Sequence, residues 1–183
     1  MKVLLSIGGA SGSIYGICLL EELKKAGVET HLIVSEGAKK IVKHETGKTF
    51  SQLKKYADFY YENSDMFAGP ASGSFKLDSM VICPCSMKTL SAVANSYGDT
   101  LSSRAAICIL KEERKLILVP RETPFDLAII ENMKKAKLSG ATILPAMPGF
   151  YHKPKKIGDL VDFVVGKILD QLDIKHSLFK RWK

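Results

Sequence analysis

Short apolar runs alternate with amphipathic stretches along most of the chain, and that alternation narrows the possible folds more than any other feature. "KVLLSIG" at 2–8, "VETHLIV" at 28–34, "SMVICP" at 79–84, "KLILVP" at 115–120 and the shorter "ATILPA" at 141–146 read as strands. Helical spacing fills the gaps. From Gly12 to Ala26, residues Tyr15, Leu19, Leu20, Leu23 and Ala26 form one apolar stripe, and Gly27 stops the run. Further helices are expected at 36–45, at 86–98 and 100–113 with a break at Gly98-Asp99, and at 125–140. In the last, over 156–172, Leu160, Val161, Val164, Val165, Ile168 and Leu172 mark the buried side. Strands followed by helices return by right-handed crossovers, so the strands lie mostly parallel with helices on both faces. The expected fold is α/β, a three-layer sandwich of Rossmann-like or flavodoxin-like kind. Its 183 residues suit one domain over 1–183, with no repeat and no linker. Residues 47–78 read as polar, aromatic and glycine-rich, with only a short possible strand at 58–61. Irregular chain of that length in a compact domain is more often functional than idle.

In parallel sheets, ligands bind beyond the carboxyl ends of the strands. The loops at 8–13, 35–37, 83–89, 120–124 and 146–153 are therefore the candidates. "GGASGS" joins the first strand to its helix. Its glycines admit a close ligand, its helix start offers N–H groups to an anion, and Ser11 and Ser13 add hydroxyls. A tight turn with a serine cap is the plain alternative. Ser35 stands where dinucleotide-binding domains usually carry an acid, which disfavours NAD; it also fits a helix cap. "CPCSMKT" repeats the arrangement, with Ser86 and Thr89 at a helix start and Lys88 as a cation. Arg104 lies in "SSRAA", a run small enough for close packing with the guanidinium reaching a target.

The sharpest feature is "VPRETPF" at 119–125, where Arg121 and Glu122 stand side by side between two prolines at the end of a buried strand. An arginine there can clamp phosphate through two parallel bonds, and a neighbouring glutamate can move a proton. A structural ion pair with another loop is the alternative. Lys111, ten residues earlier, is expected to return to the same region. "MPGFYHKP" adds Tyr151, His152 and Lys153, with Lys167 and Trp182 downstream.

The formal charge of +8 suits anionic small ligands, and no nucleic-acid motif with interleaved aromatics accompanies it. No apolar run reaches the ~18 residues of a membrane helix, and the first residues read as a strand rather than a signal peptide. The four cysteines (Cys18, Cys83, Cys85 and Cys108) lack zinc-site spacing and read as reduced core thiols of a cytoplasmic protein. No metal is expected.

Taken together and in order, "GGASGS", Ser35, "ASGSF", "CPCSMKTLSAVANSYGDTLSSRAA", "LVPRETP" and "MPGFYHKP" resemble the flavin prenyltransferases of the UbiX/Pad type over nearly the whole chain. The resemblance implies a flavoprotein that transfers the dimethylallyl group of dimethylallyl phosphate to N5 and C6 of reduced FMN. It also implies a UbiD-type decarboxylase as recipient of the product and a homo-oligomer, commonly a dodecamer, with sites at subunit junctions. By the same resemblance Gly9, Ala10, Ser11, Ser35, Ser86, Met87, Lys88, Thr89, Arg104 and Arg121 contact FMN. Lys111, Arg121, Glu122, Tyr151 and Lys167 form the donor pocket, Trp182 closes it, and Glu122, Ser11, Lys111 and Arg121 carry the catalysis. The family often has arginine where Lys167 stands; lysine keeps the charge without the two-pronged grip. The related FMN-dependent cysteine decarboxylases use a histidine just ahead of the strand entering the 83–89 loop. Residues 53–85 contain none, which counts against them. A non-catalytic FMN carrier is the other alternative.

Overall fold

A computed structural model describes residues 1–182. Six strands form one fully parallel sheet: β1 (Lys2–Ile7), β2 (Glu29–Val34), β3 (Phe59–Glu62), β4 (Ser79–Cys85), β5 (Lys115–Pro120) and β6 (Thr142–Ile143), in the order β3-β2-β1-β4-β5-β6. Helices α1 (Ser13–Lys25), α2 (Glu36–Thr46), α3 (Phe50–Lys54) and α7 (Ile157–Gln171) share one face. Helices α4 (Met87–Ala94), α5 (Leu101–Lys111) and α6 (Leu127–Leu138) cover the other. The three-layer expectation holds.

The central strands are buried on both sides because each feeds two cores. Val3, Leu5 and Ile7 of β1 pack under α1 and α7, while Leu4 packs under α5. Leu19, Leu20 and Leu23 of α1 are fully buried, each contributing about 2 kcal/mol of transfer free energy. Ala26 does not share that stripe: it caps the helix and is exposed, while Ile17 is buried in the core. α1 sits tightly on the sheet at Gly16, where a Cβ would collide with the Cys83 carbonyl oxygen and come within 3.1 Å of Ile7 Cγ1.

The 47–78 region is more ordered than the sequence suggested. α3 begins at a capping box, Thr49 with Gln52, a signal present in "TFSQ". Beyond β3, a 3-10 turn at Gly69–Ala71 is held by donors from α5 and the residues after it. Arg104 Nε donates to the Ala71 carbonyl at 3.0 Å. Arg114 donates to the carbonyls of Phe75 at 2.9 Å and Gly73 at 2.8 Å. Irregular backbone becomes tolerable when its carbonyls are satisfied this way.

Candidate functional site

The strand order reverses between β1 and β4, so successive crossovers leave on opposite faces and open a crevice at the carboxyl ends. The crevice holds about 600 Å³. Of the predicted residues, Gly9, Ser35, Ser86, Lys88 and Thr89 line it, joined by Ser6, Gly8, Gly37, Asn63, Ser102 and Ser103. Two helix starts face each other across the end of β1. Ser35 caps α2 by accepting from the Ala38 N–H, and Ser86 caps α4 by accepting from the Thr89 N–H. Each cap answers one donor of its helix start, leaving the first N–H groups (Glu36 and Gly37, Met87 and Lys88) to meet an anion. Gly9 and Gly37 face one another, with no side chain between them. Met87 itself turns into the core, and Ala10 is buried. The nearby carboxylates are neutralised, Asp99 by Lys88 at 3.3 Å and Glu36 by Lys39 at 2.6 Å.

The starts of α5 and α1 are already answered from within the chain. At α5, Asn63 accepts from Leu101 N–H through its carbonyl at 2.9 Å and from Ser102 N–H and hydroxyl through Oδ1 at 3.1 and 2.7 Å. Ser102 in turn meets Ser6 at 2.8 Å, tying the crevice floor to β1. At α1 the expected anion seat is taken by Glu45 of α2. Its carboxylate accepts from the N–H of Gly12 at 3.1 Å, and from the N–H and hydroxyl of Ser13 at 2.9 and 2.7 Å. The Gly12–Ser13 end of the glycine-rich turn is therefore answered by a glutamate, while Gly8 and Gly9 at its other end line the crevice.

Partial burial pushes the Glu45 pKa up, but hydrogen bonds from Ser11 and Ser13 and from the N–H groups of Ser13 and Gly12 together bring it below the ordinary value of 4.5. A carboxyl lowered on folding stabilises the fold above the unfolded value and loses that contribution as pH falls through its folded value. Glu45→Gln, which keeps one acceptor of two, is expected to cost about 1 kcal/mol at pH 7. Urea unfolding should show that difference shrinking towards acid pH, because the wild-type carboxyl is then protonated too.

Arg121 meets the same turn from beneath. Its Cγ packs 3.8 Å from the point a Cβ on Gly12 would occupy, and its charge reaches the Tyr15 hydroxyl. Its Nε is buried without a partner among the described residues, a donor awaiting an acceptor. Glu122 is exposed, and among the described residues its carboxylate accepts only from the N–H of Thr123, at 3.0 Å. No mutual bridge joins it to Arg121 among the described residues, as their opposite directions at a strand end require.

The loop after β6 leaves beside Pro120, whose carbonyl accepts from Ala146 N–H at 3.1 Å. It carries Tyr151 to an aromatic cluster with Phe163 at 5.6 Å and Trp182 at 5.5 Å, both edge-on. Lys167, on α7, lies 3.5 Å from Asp170.

Ala10, Ser11, Met87, Arg121, Glu122, Tyr151, Lys167 and Trp182 are not among the crevice-lining residues, and Arg104 and Lys111 point away from it within the protomer. Arg104 is committed to the Ala71 carbonyl, and its neighbours Ser102 and Ser103 face the crevice instead. Lys111 ends α5 and pairs with Glu112 at 2.9 Å. Eleven helical residues span about 16 Å, and α5 runs back towards the amino ends of the strands, so Lys111 lies at the opposite edge of the sheet. The expectation that it returns to the Arg121 region within one chain is thus corrected. Glu45 and Asn63 were not found from sequence, since their partners lie 33 and 39 residues away.

The thiols take no part in such chemistry. Burial pushes the Cys85 thiol up to about 12 and Cys83 higher still, so both stay protonated. Among the described residues, no group of three or more His, Cys, Asp or Glu could hold a metal ion, and no helix is long and apolar enough to cross a membrane.

A doubly wound sheet with an anion seat at its switch point, and a serine rather than an acid directly after β2, defines a mononucleotide-binding α/β protein. The Flavoprotein family model matches residues 1–169. The flavin prenyltransferase UbiX of Methanocaldococcus jannaschii is 52% identical over 182 residues, covering 100% of this chain and 98% of that one. The crystal structure of AnUbiX (PadA1) in complex with FMN and dimethylallyl pyrophosphate superposes with a TM-score of 0.98 at 41% identity, covering 100% of this chain and 97% of that one. A dodecameric FMN-dependent UbiX-like decarboxylase from Escherichia coli O157:H7 gives the same score and identity, with both chains fully covered. The chain belongs to the flavin prenyltransferase (UbiX) family.

Proposed function

We propose that residues 1–183 act as one flavoprotein domain that transfers the dimethylallyl group of dimethylallyl phosphate to N5 and C6 of reduced FMN. The observation that carries this reading is the pairing of an anion seat at the switch point with the buried Arg121 Nε, which has no partner among the described residues and belongs to a side chain packed against Gly12. The FMN phosphate would lie over Gly8 and Gly9, between the starts of α2 and α4, held by Ser35, Ser86, Lys88 and Thr89. The isoalloxazine would extend to Ala10, Ser11 and Arg121, and when bound it supplies the nucleophilic nitrogen and carbon.

Arg121, Tyr151 and Lys167 hold the donor phosphate as its carbon–oxygen bond breaks and the electron pair leaves with phosphate. Aromatic faces at Tyr151 and Trp182 shelter the allylic cation. Bonding at both N5 and C6 would release a proton from each and consume the alkene with one proton taken up, the other leaving with phosphate; Glu122 would be the side chain that carries these protons. Because Lys111 and Arg104 point away from their own crevice, they serve the site of a neighbouring protomer, and the active species is an oligomer, a dodecamer by analogy with the UbiX-like relative. The product goes to a UbiD-type decarboxylase. Free thiols at Cys18, Cys83, Cys85 and Cys108 suit the reducing cytoplasm.

The test is to incubate the protein with reduced FMN and dimethylallyl phosphate and weigh the flavin by mass spectrometry. A flavin heavier by one dimethylallyl unit is expected. Unchanged FMN in the bound fraction would point to the carrier reading, and carbon dioxide released from a cysteinyl peptide would point to a cysteine decarboxylase.

A further inference from the structure

The last ten described residues fold back along α7 rather than leaving it, and one side chain holds them. Asp170, in the final turn of α7, is mostly buried and accepts from Arg181 through both guanidinium nitrogens, at 2.6 and 3.2 Å. It also accepts from His176 Nε2 at 3.1 Å. His176 Nδ1 accepts from the Leu178 N–H at 3.3 Å, so its proton sits on Nε2 and points to Asp170. The second cation on Asp170, after Arg181, is Lys167, at 3.5 Å. The same tail needs a notch in the helix. At Gly166 a Cβ would meet Phe179 at 2.5 Å and His176 at 2.6 Å. Phe179 then packs on Phe163 at 4.9 Å, and two residues beyond Lys180 comes Trp182, edge-on to Tyr151. Between tail and loop lies a hollow of about 380 Å³ walled by Tyr151, Lys153, Lys180, Arg181 and Trp182.

We propose that Asp170 is a positioning residue for the donor site: through Arg181 and His176 it latches the carboxyl-terminal tail so that Trp182 closes on Tyr151, and through Lys167 it aims the adjacent cation. The inference rests on the reading of Tyr151, Lys167 and Trp182 as the donor pocket. A two-pronged arginine–carboxylate bond gives the tail one docked geometry, where a lone lysine contact would leave several. The Gly166 notch admits the aromatic rings beneath it. Asp170 itself touches neither flavin nor donor; it acts through the residues it holds.

Trp182 is the only tryptophan in the chain, so its fluorescence reports the tail alone. Asp170→Asn is expected to make Trp182 more accessible to acrylamide and to raise the KM for dimethylallyl phosphate about fivefold, with kcat changed less and FMN affinity unchanged. Gly166→Ala should reproduce both effects with no charge altered. Arg181→Gln should match Asp170→Asn, and Arg181→Lys should recover part of the loss. Wild-type quenching and KM in both Asp170→Asn and Gly166→Ala would overturn the proposal, as would a lowered Tm with neither readout moved, which marks a purely structural role. If Asp170→Asn fails to fold, Gly166→Ala and Arg181→Gln decide the question. If the wild-type protein prenylates no flavin, the functional reading fails, and the quenching comparison still decides whether the latch exists.

Discussion

Glu122→Gln is expected to slow flavin prenylation by about 10²-fold or more, the usual contribution of a positioned proton carrier, while FMN stays bound. The reasoning starts from what Glu122 does not do. Beside Arg121 at the end of β5, it forms no bridge to that guanidinium, and among the described residues its only acceptor role is to the N–H of the next residue. A carboxylate left uncommitted at the mouth of a cationic site is available to a substrate proton. The anion seat lies at other loops, at Ser35 and Ser86, so removing the charge of Glu122 leaves the flavin's phosphate contacts in place. Glutamine keeps the shape and one acceptor but cannot take a proton. Timed mass spectrometry of the flavin, with FMN retention followed by absorbance, separates the two effects. Wild-type rates in the variant would remove Glu122 from the chemistry and leave the bound phosphate as the base.

Gly16→Ala is expected to destabilise the fold by about 3 kcal/mol, the upper part of the range for overpacking, and to weaken FMN binding with it. The added methyl would fall against the Cys83 carbonyl oxygen, in a strand buried on both faces, and against Ile7 in β1. Neither can retreat, so α1 must lift from the sheet, and with it the turn that holds Ser11, Gly12 and the underside of Arg121. Gly27→Ala makes the useful contrast. Open space surrounds Gly27, but its φ of 67° lies in the left-handed region, so the cost there is conformational, about 1 kcal/mol. Chemical unfolding of the two variants side by side compares steric with conformational cost, and only Gly16→Ala should release flavin.

Much of the site was legible because it is written in loops. Serines, glycines and an Arg-Glu pair after buried strands have few structural uses at that edge, and Ser35, Ser86, Lys88 and Thr89 do line one crevice. What could not be read was which donors remain free. "GGASGS" has every attribute of an anion seat, yet Glu45, 33 residues downstream of Gly12, occupies its helix end and leaves only Gly8 and Gly9 on the crevice. "SSRAA" placed an arginine among small residues, but the turn of α5 points the serines into the crevice and the arginine at Ala71. Lys111 precedes Arg121 by only ten residues yet lies at the far edge, since a helix between two parallel strands carries the chain back to that edge before the next strand begins.

From its sequence alone, then, this chain determines its sheet, its layers and the rim on which ligands gather. Apolar periodicity decides which residues are buried, and parallel crossovers decide which end of every strand faces the ligand. Tertiary structure alone decided that α2 and α4 keep open helix starts while α1 and α5 do not, and that a tail beyond α7 returns to Tyr151. Those outcomes depend on hydrogen bonds between residues far apart in the chain, and a hydrogen-bond donor carries no mark in sequence of the partner that will reach it first.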